Sequence, residues 1–255
     1  MSDPKSTTRF GNRVEDYVKY RPNYPAEIVT YLENKFGLSP GNLIADIGSG
    51  TGISSSIFLD RGYSVVGIEP NSEMRNKSKT LLGSNPKFTA KDGTAEHSGL
   101  ETHSVDAIVA GQAFHWFDQR RANQEFSRIL KPNGLVILIW NERLIRSGFE
   151  KDYDELIIKH ARDYVQVDHR NVDLEKITAF FSPQPVTVKE FDNQQIFDFE
   201  GLEGRLLSSS YMPAKTEVGY QEMSDDLKLL FDQYQENGLI VIHYKTKTFA
   251  GRWKV

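Results

Sequence analysis

An apolar run ends in Asp46 and breaks at once into glycines at 48, 50 and 52, giving D-I-G-S-G-T-G. Glycine at every second position strips side chains from a turn, so that bare backbone can approach a ligand closely. Three ligand classes use such a turn. A nucleotide-phosphate loop follows its glycines with Lys and then Ser or Thr. Here Gly52 is followed by Ile53 and Ser54 with no lysine near, which excludes that class. A dinucleotide loop sets its third glycine one step later, and its pyrophosphate would meet the charge of Asp46; Glu69, where a ribose-binding acid is expected, keeps this class open. The third class is a ligand with an amino or sulfonium group beside that acid.

Other residues of chemical interest recur at regular intervals. Glu69 and Pro70 end one apolar run, Asp92 and Gly93 end the next, and Gln112, His115 and Trp116 follow a third in GQAFHWFD. Gln112 can donate and accept a hydrogen bond, His115 is titratable, and Trp116 offers a flat wall for a cation or a substrate. Upstream, YVKYRPNYP supplies Tyr17, Tyr20, Arg21 and Tyr24, with Arg21 suited to a carboxylate. The histidines form no H-x-x-x-H pair and no cluster with acids, so no metal site is expected. Arg143, Arg146, Arg205 and residues 208–211 lie on segments able to cap a pocket, with solvated surface the expectation for most of them.

The elements that must position these residues alternate. Apolar, β-branched runs at 42–47, 64–69, 87–92, 105–110 and 134–140 read as strands covered on both faces. Helical patterns at 53–61, 72–82 and 118–130 separate them, and LKPNG at 130–134 reads as a turn closing the last helix. Such alternation implies a doubly wound, mostly parallel sheet with right-handed crossovers. Prolines at 22 and 25 split the N-terminal pattern into two short helices, taken together as a lid over 13–36. A polar amphipathic stretch at 148–182 reads as a helical cap insertion, and strand-like runs at 185–197 and 239–253 come late, separated by helical segments near 200–209 and 216–236. The whole of 1–255 is read as a single domain.

The 255 residues carry a net charge of −4 with acids and bases intermixed, without the basic stripe of a nucleic-acid binder. The absence of cysteine excludes disulfides, thiolate metal sites and cysteine nucleophiles. The polar start MSDPKSTTRF holds no signal-peptide core and no run approaches a membrane span, so a soluble, cytoplasmic protein without membrane or nucleic-acid partners is expected. The oligomeric state is not legible.

Taken in order, DIGSGTG, GIEPNSEM, KDGTAEHSGL, VDAIVAGQAFHWFD and RILKPNGLVILI resemble the successive motifs of the class I S-adenosylmethionine-dependent methyltransferases. The resemblance is dense over about residues 10–145, and within the family it points to the small-molecule, trans-aconitate-type branch. It implies a Rossmann-like seven-stranded sheet whose last strand inserts antiparallel between the fifth and sixth, and S-adenosyl-L-methionine as cofactor. It further implies that Asp46, Gly48, Ser49, Gly50 and Gly52 cradle the cofactor, with Glu69, Pro70 and Met74 on the ribose side. Asp92, Gly93, Thr94 and Ala95 would lie around the adenine, and Gln112 and His115 would face the transferred methyl. Tyr17, Arg21 and Trp116 would meet the acceptor under the lid. The expected acceptor is a small molecule, with a carboxylate oxygen the leading atom. Carbon or oxygen methylation of a quinone-like or lipid-like metabolite, or cofactor binding without turnover, are the alternatives. An adenine-in-nucleic-acid acceptor is disfavoured, because GQAF stands where such enzymes carry [DNS]-P-P-[YFW].

Overall fold

The computed structural model describes residues 14–162 and 174–253. The apolar runs form seven strands: β1 Leu43–Ile47, β2 Ser64–Ile68, β3 Phe88–Lys91, β4 Val105–Gly111, β5 Leu130–Arg143, β6 Thr187–Phe197 and β7 Ile240–Arg252. They join in one sheet of order β3-β2-β1-β4-β5-β7-β6. β1 to β5 are parallel, and β7 runs antiparallel between β5 and β6. The doubly wound sheet with its inserted last strand is the one expected.

Successive side chains along each strand serve opposite faces. Leu135, Ile137 and Ile139 of β5 pack with Ile44, Val65 and Val109 on one face, while Val136, Leu138 and Trp140 pack with Ala45, Val66 and Ile108 on the other. Both faces are covered, which is why these runs are continuously apolar rather than alternating.

Helices α1 Val14–Tyr20, α2 Glu27–Phe36, α3 Ile53–Leu59, α4 Ser72–Leu82 and α5 Gln119–Ile129 fall within the first half. They are followed by α6 Gly148–His160, α7 Leu174–Phe181, α8 Phe199–Leu207 and α9 Tyr220–Tyr234. Two expectations about the accessory segments are corrected. The 13–36 stretch does not pack as one unit: Tyr20 of α1 packs with α8, whereas α2 lays Ile28, Val29 and Leu32 on the sheet. The 148–182 stretch is likewise not one cap. α6 joins a third apolar cluster with α8, α9 and β7, whereas Ile177, Phe180 and Phe181 of α7 pack beneath the sheet with Trp253. Residue 13 and residues 163–173 lie outside the described residues.

LKPNG is also corrected. Its residues are drawn into the start of β5, where Leu130 pairs with Val105 and the register then shifts so that Leu135 pairs with Ala107. Asn133 takes a left-handed φ of 63° there, so the turn chemistry is spent on a bulge inside the strand.

Candidate active site

Strand β1 delivers the glycine turn to the carboxyl edge of the sheet, where open α/β folds bind ligands. Gly48, Gly50 and Gly52 have φ of 69°, 55° and 94°, left-handed values that L side chains rarely adopt. The turn is tied to the neighbouring strand by Gly48 N–H and Ser49 N–H, both donating to the Ile68 carbonyl oxygen at 2.8 and 3.2 Å.

Glu69 faces the turn. Its Oε2 accepts from Gly50 N–H at 2.9 Å and its Oε1 from Asn71 N–H at 2.8 Å. Burial pushes its pKa up, while these two backbone donors oppose the shift. Asn71 caps α4 by accepting from Glu73 and Met74 N–H, which fixes the start of that helix beside the turn.

These groups border a cavity of about 230 Å³. Among the sequence-derived candidates, Tyr17, Arg21, Gly48, Ser49, Gly50, Glu69, Pro70, Met74, Thr94, Ala95, Gln112, His115 and Trp116 all line it. Asp46, Gly52, Asp92 and Gly93 do not. Asp46 is wholly buried and turned away: its Oδ2 accepts from the Ser54 and Ser55 hydroxyls, each at 2.7 Å. Burial raises its pKa to about 6 against the pull of those hydroxyls. The repulsion of a pyrophosphate expected from Asp46 is therefore not delivered, since its carboxylate does not border the cavity. Asp92 is drawn outward by Arg75, whose Nη1 donates to its Oδ1 at 3.1 Å, and its side chain is 73% exposed. Gly52 caps α3 instead, and a Cβ there would strike Leu82. Gly93 packs against Ile68 and the carbonyls of His97 and Ser98.

At the far side of the sheet edge, Gln112 adopts a left-handed φ of 53°, and its Oε1 accepts from Asn141 N–H at 2.7 Å. This bond holds the side chain at the junction of β4 and β5. The His115 ring lies 4.5 Å from the Trp116 ring and 5.3 Å from that of Trp140. It lines the cavity and keeps solvent-exposed surface, and the protein packed around it pulls its pKa down to about 4 by desolvation. His115 is thus neutral at pH 7 and a weak base.

Further residues complete the wall, three of them on the segments expected to be able to cap a pocket. Asn141, Arg143, Arg205, Tyr211 and Tyr244 line the cavity, so Arg143 and Arg205 are cavity residues rather than solvated surface. Arg143 is paired with Asp154. Tyr244 gave no signal in the sequence, since a tyrosine midway along an alternating strand reads as core.

The turn has the groups and the room to receive a polar ligand. The Ser49 and Thr51 hydroxyls are buried with no hydrogen-bond partner, and both residues border the cavity. A Cβ on Gly50 would meet nothing closer than Met74 Sδ at 3.8 Å, so the space over this glycine is open. Orphaned hydroxyls beside a bare backbone are groups a bound polar ligand satisfies.

Residues 45–138 match the family profile of the methyltransferase domain. Over that stretch the chain is similar to methyltransferase domains. Over 148 residues the chain is 36% identical to an uncharacterised methyltransferase of Mycobacterium tuberculosis, spanning 58% of this chain and 58% of that relative. A Dictyostelium discoideum protein named a methyltransferase is 25% identical over 230 residues, 88% of this chain and 85% of its own. Among solved structures, a protein of Anaeromyxobacter dehalogenans described as a type II methyltransferase superposes with a TM-score of 0.68. It is 20% identical, over 91% of this chain and 98% of that one. Phosphoethanolamine N-methyltransferase 2 of Haemonchus contortus, in complex with S-adenosyl-L-methionine, gives 0.58 at 17% identity, over 99% of this chain and 59% of that one. At these identities the structural likeness is one of fold. The matched stretch spans the glycine turn, Glu69 and the Gln112–Trp116 segment, while Arg205, Tyr211 and Tyr244 lie beyond it.

Proposed function

We propose that this protein transfers a methyl group from S-adenosyl-L-methionine to a small-molecule acceptor at a carboxylate oxygen. The observation that carries the reading is Glu69, a buried carboxylate set against the glycine turn beside two unpartnered hydroxyls. S-Adenosyl-L-methionine supplies an activated methyl on a sulfonium centre. The protein's share is then binding, orientation and exclusion of water. In this reading Glu69 takes the ribose hydroxyls with the lone pairs its two backbone donors leave. Ser49 and Thr51 hold polar atoms of the amino-acid end. Thr94 and Ala95 flank the base, and Gln112 directs its amide at the reacting groups.

The state of His115 bears on the acceptor atom. A ring held neutral with a pKa near 4 is poorly matched to removing a proton from a phenol or amine at pH 7. A carboxylate acceptor is already ionised and needs no base. His115 and Trp116 then serve as wall groups that orient the acceptor.

Calorimetric titration with S-adenosylhomocysteine, with NAD as comparison, tests the cofactor. Micromolar binding of the former and none of the latter is expected. Glu69→Ala should weaken it at least about tenfold, since a hydrogen bond to a charged group contributes roughly 1.5–3 kcal/mol. Binding of NAD alone would sink the reading.

A further inference from the structure

Two guanidinium groups in the cavity wall have no carboxylate partner among the described residues. Arg21 donates from Nη2 to the Ser208 carbonyl oxygen at 2.9 Å and lies 5.0 Å from the Tyr17 ring centre, with its Nε buried and unbonded. Arg205 donates to the Tyr244 hydroxyl at 3.2 Å and reaches the Ser208 and Ser209 hydroxyls at 3.4 Å. All of these partners are neutral. The two arginines converge on Ser208, and burial together with the charge of Arg205 lowers the pKa of Arg21. The carboxylates bordering the cavity are engaged elsewhere: Glu69 with Gly50 and Asn71 N–H, and Glu96 with Asp118 N–H. Arg143 already has Asp154.

Desolvated cations without counter-ions are costly, and a pocket lined by them favours an anion. S-Adenosyl-L-methionine does not restore the balance. Its sulfonium and ammonium outweigh its one carboxylate, so it adds a net positive charge. With that carboxylate assigned to one arginine, the other still lacks a partner. Arg205 projects from α8, part of the wall built with α6, α9 and β7, and not from the β1–β2 end that carries the turn and Glu69. Tyr244 holds it in place, being fixed in turn by donating to Gln195 Oε1 at 2.9 Å.

We propose that Arg205 is the anchor for a carboxylate group of the methyl acceptor, positioned by Tyr244, and sets the specificity of the site for organic acids. This rests on the cofactor reading above. The test is calorimetry on the protein loaded with S-adenosylhomocysteine, titrated with acetate, malonate and citrate, and with acetamide and malonamide as neutral controls. At least one carboxylate should bind, and the amides should not. Arg205→Gln should weaken that binding at least tenfold and leave affinity for S-adenosylhomocysteine within about twofold, and Arg205→Lys should recover part of the loss. Equal carboxylate binding in Arg205→Gln, or none in the loaded wild type, overturns the proposal. If Arg205→Gln also loses S-adenosylhomocysteine, Tyr244→Phe decides: weakened carboxylate binding with the nucleoside retained supports the anchor, and unchanged binding overturns it. Failure of S-adenosylhomocysteine to bind the wild type would count against the cofactor reading instead. The same carboxylate titrations on unloaded protein would then still read Arg205 directly.

Discussion

Single residues of the glycine turn differ in what they protect. Gly50 has open space where its side chain would be, whereas a Cβ on Gly48 would come within 2.7 Å of the Ala113 Cβ. Gly50→Val should therefore abolish S-adenosylhomocysteine binding with little change in melting temperature beyond the strain of its left-handed φ. Gly48→Ala should lower both. Calorimetry and thermal melting of the pair would show this, and equal melting losses would mean that the space over Gly50 is not ligand space. At this scale the sequence was informative where chemistry is local: the turn and Glu69 are neighbours across one strand pair. It was misleading where a side chain has a choice of partners. Asp46 and Asp92 stand at strand ends as expected, but a backbone position does not say which way a carboxylate turns. Ser54 and Ser55 capture the first and Arg75 the second.

Among the elements, the seam between α1 and α8 is the tightest place beside the cavity. A Cβ on Gly204 would lie 2.0 Å from Tyr20 Cε2, so the Tyr20 ring uses the missing side chain as its seat. Tyr20 immediately precedes Arg21, and Arg205 immediately follows Gly204. Gly204→Ala should force α1 away from α8 and cost roughly 1–3 kcal/mol of stability by overpacking. Faster proteolysis at α1 and weaker S-adenosylhomocysteine binding should accompany the loss, and an unchanged digestion pattern would show that the seam is not needed. The helices and parallel strands were readable because each is specified by its own period and caps. The grouping of helices was not. Whether α6 and α7 share a cap depends on partners more than forty residues away along the chain, which no local period encodes. Tyr244 gave no signal, and Arg205 only a place on a segment able to cap a pocket, for the same reason: long-range packing brings them to the cavity wall.

The sheet as a whole carries a buried acid near its centre, and this shows in the pH dependence of stability. The folded pKa of Asp46, about 6, lies above the ordinary 3.8. As pH rises from about 4 to about 6 the unfolded chain gives up this proton before the folded one does. The group therefore stabilises the fold most below about pH 4, and that contribution is lost as pH passes through about 6. At about 1.4 kcal/mol per pKa unit, the ionised carboxylate costs on the order of 3 kcal/mol at pH 7. Asp46→Asn keeps an acceptor for Ser54 and Ser55 without the charge. It should melt higher than the wild type at pH 7, with the difference shrinking towards pH 4. A constant difference across that range would assign the effect to packing rather than ionisation.

The order β5-β7-β6 also governs assembly in time. On a ribosome, β1 to β5 can find their parallel neighbours as they emerge, because only the outer edge of β5 waits for a later strand. β6 is made next and has no neighbour in the sheet until β7 arrives to sit beside it. Tyr244 arrives with that strand, so the wall that steadies Arg205 is installed after every other part of the cavity has been synthesised. A nascent chain bearing the glycine turn and Glu69 thus carries only part of the cavity wall, and Tyr244 completes it when β7 docks.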